Sequence, residues 1–132
     1  MYRPTAKGYF SGCGGMELGM IQAGVSVIQS LDIDSDSVEC MQNNPQYFSH
    51  TIIKQSITDL LVLEQPKSDI MIFTWPCTKY SPTADIHGTR TGDDLFLHGF
   101  RHIAIERPEM YVIENVPGMK KFRVVMEAIT KL

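Results

Sequence analysis

A thiol and a carboxylate each stand at the end of an apolar, strand-like run. Pro76-Cys77 lies just past Ile70-Met71-Ile72-Phe73, and Glu114-Asn115-Val116 closes the run that begins Met110-Tyr111-Val112-Ile113. In a parallel sheet both motifs emerge at the carboxyl edge, where open α/β folds build their sites. A sulfur nucleophile beside an acid is what covalent catalysis requires. A free cysteine is by default an inert, buried packing residue, so Cys77 is singled out by its context alone. Cys13 and Cys40 are assigned to packing, with Cys13 also placed to border a ligand through its backbone. His98 and His102 are four apart, a spacing that suits a metal on a helix. No third ligand accompanies them, so they are assigned to packing or surface and no metal is expected.

A second constellation sits near the amino end. Phe10-Ser11-Gly12-Cys13-Gly14-Gly15 joins a strand to a helix. Glycines there permit a tight turn and let a ligand approach bare backbone, and the helix start offers free N–H groups. Asp32 ends the next strand, where α/β nucleotide binders hold a carboxylate against ribose hydroxyls. No Lys-Ser or Lys-Thr follows the glycines, and the dinucleotide spacing is missing. A ligand with an adenosine and no pyrophosphate therefore suits the loop better. Phe10, aromatic and at the strand tip, either lies against an adenine or belongs to the core.

The elements that must position these residues follow from periodicity. Strands are expected over residues 6–10, from 25 to about 32–34, over 51–54, 69–74 and 110–114, the fourth nearly all apolar as central parallel strands are. Met16, Met20 and Ala23 share one face of a first helix that Gly24 closes, and Ser35 or Asp36 caps a second helix carrying Val38 and Met41. Residues 57–63 read as a short helix or turn. Residues 76–93, with Pro82, Gly88 and Gly92, read as a long loop, the kind usually found to be functional. Leu95, Phe96, Phe100 and Ile103 resume helical spacing, and Phe122, Val125, Met126 and Ile129 mark a last amphipathic helix. Strict alternation of strand and helix predicts one α/β domain over residues 1–132: a Rossmann-like open, mostly parallel twisted sheet with helices on both faces.

Bulk properties narrow the function. A chain of 132 residues can bury a core without disulfides or metal. Its formal charge of −3 argues against a nucleic-acid grip built on overall positive charge. The three scattered cysteines form no CxxC pair, which fits a reducing cytoplasm. Neither a signal-peptide pattern nor a membrane-length apolar run is seen, so no membrane contact is expected.

Taken together and in order, these motifs resemble the DNA cytosine-5 methyltransferase family. Phe10-x-Gly12-x-Gly14-Gly15 is similar to its first cofactor motif, and Asp32-Ile33-Asp34 to its ribose-binding acidic segment. Ser56-Ile57-Thr58-Asp59 resembles the segment bordering the adenine. Pro76-Cys77 resembles the catalytic motif, and Glu114-Asn115-Val116 the cytosine-binding motif. The resemblance implies transfer of a methyl group from S-adenosyl-L-methionine to carbon 5 of cytosine in double-stranded DNA. It implies Cys77, Glu114, Pro76 and Asn115 as the catalytic set, with Asn115 orienting strand ends. It implies Phe10, Gly12, Cys13, Gly14, Gly15, Asp32, Ile33, Ser56, Ile57, Pro76 and Leu95 around the cofactor. The target base must leave the duplex to reach the thiol.

The chain departs from the family pattern in several places. Thr78 stands where Gln is usual, Thr74-Trp75 where a small and an apolar residue are common, Ser56 where Asp often contacts adenine, and Asp93-Asp94 near the position of an Arg-Gly pair. The family also continues with further strands, an Arg-rich motif, a target-recognition region and a closing helix. The expectation is therefore a fragment or subunit of a restriction-modification or phage enzyme, pairing with a complementary segment or with itself through an exposed sheet edge. The alternatives are a tRNA cytosine-5 methyltransferase and a non-catalytic cofactor-binding module that needs a partner. An adenine-N6 enzyme is disfavoured, because Trp75-Pro76-Cys77 occupies the place of an Asn/Asp-Pro-Pro-Tyr segment.

Overall fold

A computed structural model describes residues 1–76 and 95–132. Cys77, Thr78, Asp93, Asp94 and nearly all of the expected long loop lie outside the described residues. The elements are β1 (Thr5–Tyr9), α1 (Gly15–Gln22), β2 (Ser26–Asp32), α2 (Ser35–Gln42), β3 (Thr51–Lys54), β4 (Ile70–Phe73), α3 (Leu95–Glu106), β5 (Met110–Ile113) and α4 (Arg123–Lys131). The strands form one parallel sheet in the order β3-β2-β1-β4-β5, so β1 is central and β5 is an edge. The order reverses between β1 and β4, which is where open α/β sheets open a crevice.

Alternation along the strands sends side chains to two layers. On one face Ala6, Val27 and Ile72 pack against Met16, Met20 and Ile21 of α1. Ile21 takes the place expected of Ala23, which caps the helix and is exposed. On the other face Tyr9, Leu31, Met71 and Phe73 pack against Phe96 and Ile103 of α3, with Val125 and Ile129 of α4 joining at the edge. The Tyr111 hydroxyl donates to the Ile129 carbonyl at 2.7 Å and fixes α4 to β5.

Two local expectations are corrected. Asp34, not Ser35 or Asp36, caps α2: its backbone is extended and its Oδ2 accepts the Ser37 N–H at 2.8 Å. A cap must lie just outside the helix, and Ser35 is already the first helical residue. The ambiguous stretch over 57–63 resolves into two 3-10 turns, Ile57–Asp59 and Val62–Glu64. Ile57, Leu60 and Val62 are buried, and the Arg101 guanidinium of α3 donates to the carbonyls of Ile57 and Leu60 at 3.1 and 3.0 Å. Long-range packing and one cation therefore set this segment, and neither shows as local periodicity.

Candidate active site

The glycine loop is held from three sides. The Ser11 N–H donates to the Leu31 carbonyl at 3.0 Å, tying the loop to β2. Asp32 Oδ2 accepts the Gly12 N–H at 2.7 Å, and its Oδ1 accepts the Asp34 N–H at 2.9 Å. Each oxygen keeps a further lone pair for a ligand hydroxyl. Beneath the loop, the Ser11 hydroxyl donates to the carboxyl group of Glu17, which is buried in the first turn of α1. Burial pushes that carboxyl group above the usual range, against the hydrogen bond from Ser11. Gly14 caps α1 at a φ of 83°, and a Cβ there would lie 2.7 Å from the Phe48 ring, so both conformation and space require glycine.

Phe10 adopts a φ of 58°, a left-handed conformation that a bulky side chain rarely takes. The Thr74 hydroxyl holds it there by donating to the Phe10 carbonyl at 2.6 Å. Strain of this kind costs on the order of 1–3 kcal/mol and collects at functional sites.

These features border a cavity of about 330 Å³ at the carboxyl ends of the strands. That volume falls in the usual small-ligand range of roughly 300–1,000 Å³. Leu31, Asp32 and Ile33 form one wall, and Gln55, Ser56 and Ile57 a second. Phe10, Thr74, Pro76 and Leu95 complete it. Among the described residues the lining is mostly apolar, with one carboxylate and no lysine or arginine. These described residues fit a neutral or cationic nucleoside-type ligand.

The structure thus brings together Phe10, Asp32, Ile33, Ser56, Ile57, Pro76 and Leu95. Gly12, Cys13, Gly14 and Gly15 shape the adjoining loop and do not line the cavity. The Ser56 side chain already serves its own turn, accepting the Thr58 N–H at 3.2 Å and bonding the Thr58 hydroxyl at 2.8 Å. Leu31, Gln55 and Thr74 were not foreseen. Leu31 and Gln55 are direct neighbours of predicted residues and Thr74 lies two before Pro76, and that closeness at a strand end was the available signal.

The two chemistry-bearing strand ends meet beside this cavity. The Glu114 N–H donates to the Phe73 carbonyl at 3.0 Å, continuing the β4–β5 ladder, and its side chain is exposed. Asn115 turns inward: its Nδ2 donates to the Trp75 carbonyl at 3.4 Å and its Oδ1 accepts the Val116 N–H at 2.8 Å. Pro76 therefore follows directly on a carbonyl that the residue after Glu114 holds. The position of the Cys77 sulfur, and its convergence with Glu114, lie outside the described residues. His102 is buried, with its Nδ1 3.2 Å from the Tyr9 hydroxyl and its ring edge-on to that phenol. Among the described residues no group of three or more His, Cys, Asp or Glu side chains could hold a metal ion, and no helix is long and apolar enough to cross a membrane.

Comparison with known proteins places this geometry. The family model described as C-5 cytosine-specific DNA methylase matches residues 8–131. The Type II methyltransferase M.FnuDI of Fusobacterium nucleatum is 32% identical over 111 residues, covering 83% of this chain and 31% of that protein. The Type II methyltransferase M.Bsp6I of a Bacillus strain is 28% identical, covering 91% of this chain and 40% of that protein. Among solved structures, Entamoeba histolytica methyltransferase EhMeth superposes with a TM-score of 0.75 at 18% identity, over 99% of this chain and 44% of that one. The chain spans about a third of the length of the curated relatives it matches. With its glycine loop, acidic strand end and Pro-Cys and Glu-Asn-Val motifs in order along the sequence, it belongs to the C-5 cytosine-specific DNA methylase family.

Proposed function

We propose that this chain is the cofactor-binding and catalytic part of an enzyme that methylates carbon 5 of cytosine in double-stranded DNA through a covalent adduct at Cys77. The observation that carries the reading is the Asn115–Trp75 hydrogen bond. It joins the segment after Glu114 to the segment before Pro76-Cys77, at the rim of a cavity that suits an adenosine.

S-adenosyl-L-methionine, when bound, supplies the methyl group in electrophilic form. Asp32, with lone pairs to spare on both oxygens, binds the ribose hydroxyls. Phe10, Ile33, Ile57 and Leu95 enclose the adenine, Ser56 and Pro76 border it, and the loop of Gly12, Cys13, Gly14 and Gly15 leaves backbone exposed to the rest of the ligand. Carbon 5 of cytosine is a poor nucleophile. A bond from the Cys77 sulfur to carbon 6 moves the ring electrons toward carbon 5 and makes it reactive. Glu114 holds the exocyclic amine and ring nitrogen 3, stabilising the protonated ring during that attack. Once carbon 5 carries its methyl group, loss of the carbon 5 proton to a base returns the electrons and expels Cys77. Asn115 orients the two strand ends.

Reading the recognition sequence falls, in this proposal, to a recognition region outside this segment. The curated relatives are Type II methyltransferases, and a restriction-modification system or prophage in the cytoplasm is the proposed setting. A complementary segment or subunit is the proposed partner. The test is methyl incorporation from labelled cofactor into duplex DNA and into tRNA, with the chain joined to such a recognition region. Cys77→Ser should abolish incorporation into DNA. Undiminished methylation by that variant would contradict the mechanism, and incorporation into tRNA alone would contradict the substrate.

A further inference from the structure

Trp75 precedes the Pro-Cys motif and is almost wholly buried, with 3% of its surface exposed. Its indole Nε1 donates to the carbonyl of Leu95 at 3.1 Å, across the chain from β4 to α3. The ring stacks on Phe96 at 4.1 Å and on Phe73 at 4.9 Å, and it lies tilted against Phe10 at 6.1 Å. Its own carbonyl accepts from Asn115. Three of the lining residues are thus tied to Trp75: Phe10 through its ring, Leu95 through its carbonyl, and Pro76 as the next residue. Trp75 is not itself part of the lining. Packing alone would need only an apolar ring, whereas the bond to Leu95 needs a donor on that ring, and tryptophan alone among the large apolar side chains carries an N–H.

The benzo edge of the indole, next to Nε1, is equally constrained. A Cβ on Gly99 would lie 2.2 Å from Trp75 Cζ2, so the ring rests directly on the α3 backbone. Gly99 does not border the cavity.

We infer that Trp75 is a positioning residue for the cofactor: its indole sets the spacing between the cavity wall at the end of β4 and the wall at the start of α3. The inference rests on the adenosine-ligand reading of the cavity. It also explains the departure from the family pattern at this position, since an indole reaches a carbonyl that a smaller apolar residue cannot.

The test uses S-adenosyl-L-homocysteine as probe, with affinity measured by calorimetry on the chain and on Trp75→Phe, Gly99→Ala and the double variant. Trp75→Phe keeps a ring and loses the N–H, and it should weaken binding about fivefold, in keeping with one well-placed hydrogen bond. Gly99→Ala pushes the indole from outside the cavity and should weaken binding by a similar factor. The double variant should bind better than Gly99→Ala alone, because phenylalanine leaves room for the new methyl group. Trp75 is also the sole tryptophan, so fluorescence of the unaltered chain reads its surroundings without any variant. Its emission should change on titration and saturate with the calorimetric curve. Unchanged emission at saturation overturns the inference, as do variants that bind within about twofold of the parent. If the unaltered chain takes up no probe, the cofactor reading itself falls, and the inference with it.

Discussion

At Phe10 and Asp32 single residues take on duties that their types alone do not announce. A left-handed Phe10 is held open by the Thr74 hydroxyl, and the Asp32 carboxylate fastens the glycine loop while keeping lone pairs free. Both candidates were legible because a strand tip and an acid at the next strand end are positional signals. The duties of Thr74 and Trp75 were not legible, because each depends on which distant backbone carbonyl comes within reach. His102 was assigned to packing or surface, and the fold settles it as packing by burying it against Tyr9. Burial first, then the positive charges of Arg101, Lys7 and His98, push its imidazole down from 6.5 to about 4. The folded protein therefore keeps His102 neutral while the unfolded chain takes up a proton below pH 6.5. Stability owed to this residue is intact above that pH and falls steadily as the pH drops toward 4. NMR titration of the His102 ring should give a midpoint near 4, and a midpoint near the ordinary value would contradict the burial argument.

At the scale of elements, apolar runs at strand ends and helical spacings located every strand and all four described helices, with boundaries shifted by a residue or so. What they missed is the polar connection between β1 and α3. Lys7 lies in the central strand, is fully buried, and pairs with Glu106 at 2.7 Å. Burial lowers its pKa, and the bond to Glu106 partly offsets this. A lysine in a core strand is invisible to hydrophobic patterning, since its partner lies far along the chain. Breaking the pair leaves a buried charge alone. Lys7→Met should therefore destabilise the protein by about 3–5 kcal/mol, a large share of the roughly 5–15 kcal/mol that holds a typical domain together. Lys7→Met with Glu106→Leu should recover most of the loss, because two apolar side chains leave no orphaned charge. Urea unfolding decides the matter. A single variant within about 1 kcal/mol of the parent would show the pair to be dispensable.

At the scale of the whole molecule, β5 is an edge strand of the sheet among the described residues, and the Glu-Asn-Val motif follows it. Alternation of elements made the architecture legible, because each strand-helix step leaves its own periodic trace. The proposed relation between Cys77 and Glu114 rests only on the neighbouring strands that precede them, since sequence order carries no distance. That relation is tested most directly by trapping the adduct. Duplex DNA with 5-fluorocytosine in the target site, offered with S-adenosyl-L-methionine to the chain joined to a recognition region, removes the carbon 5 proton whose loss releases the enzyme. Intact-mass spectrometry should find a stable covalent protein–DNA complex, with peptide mapping placing the bond on Cys77. A protein that stays unmodified under turnover conditions, or a bond formed at any other residue, would contradict the account.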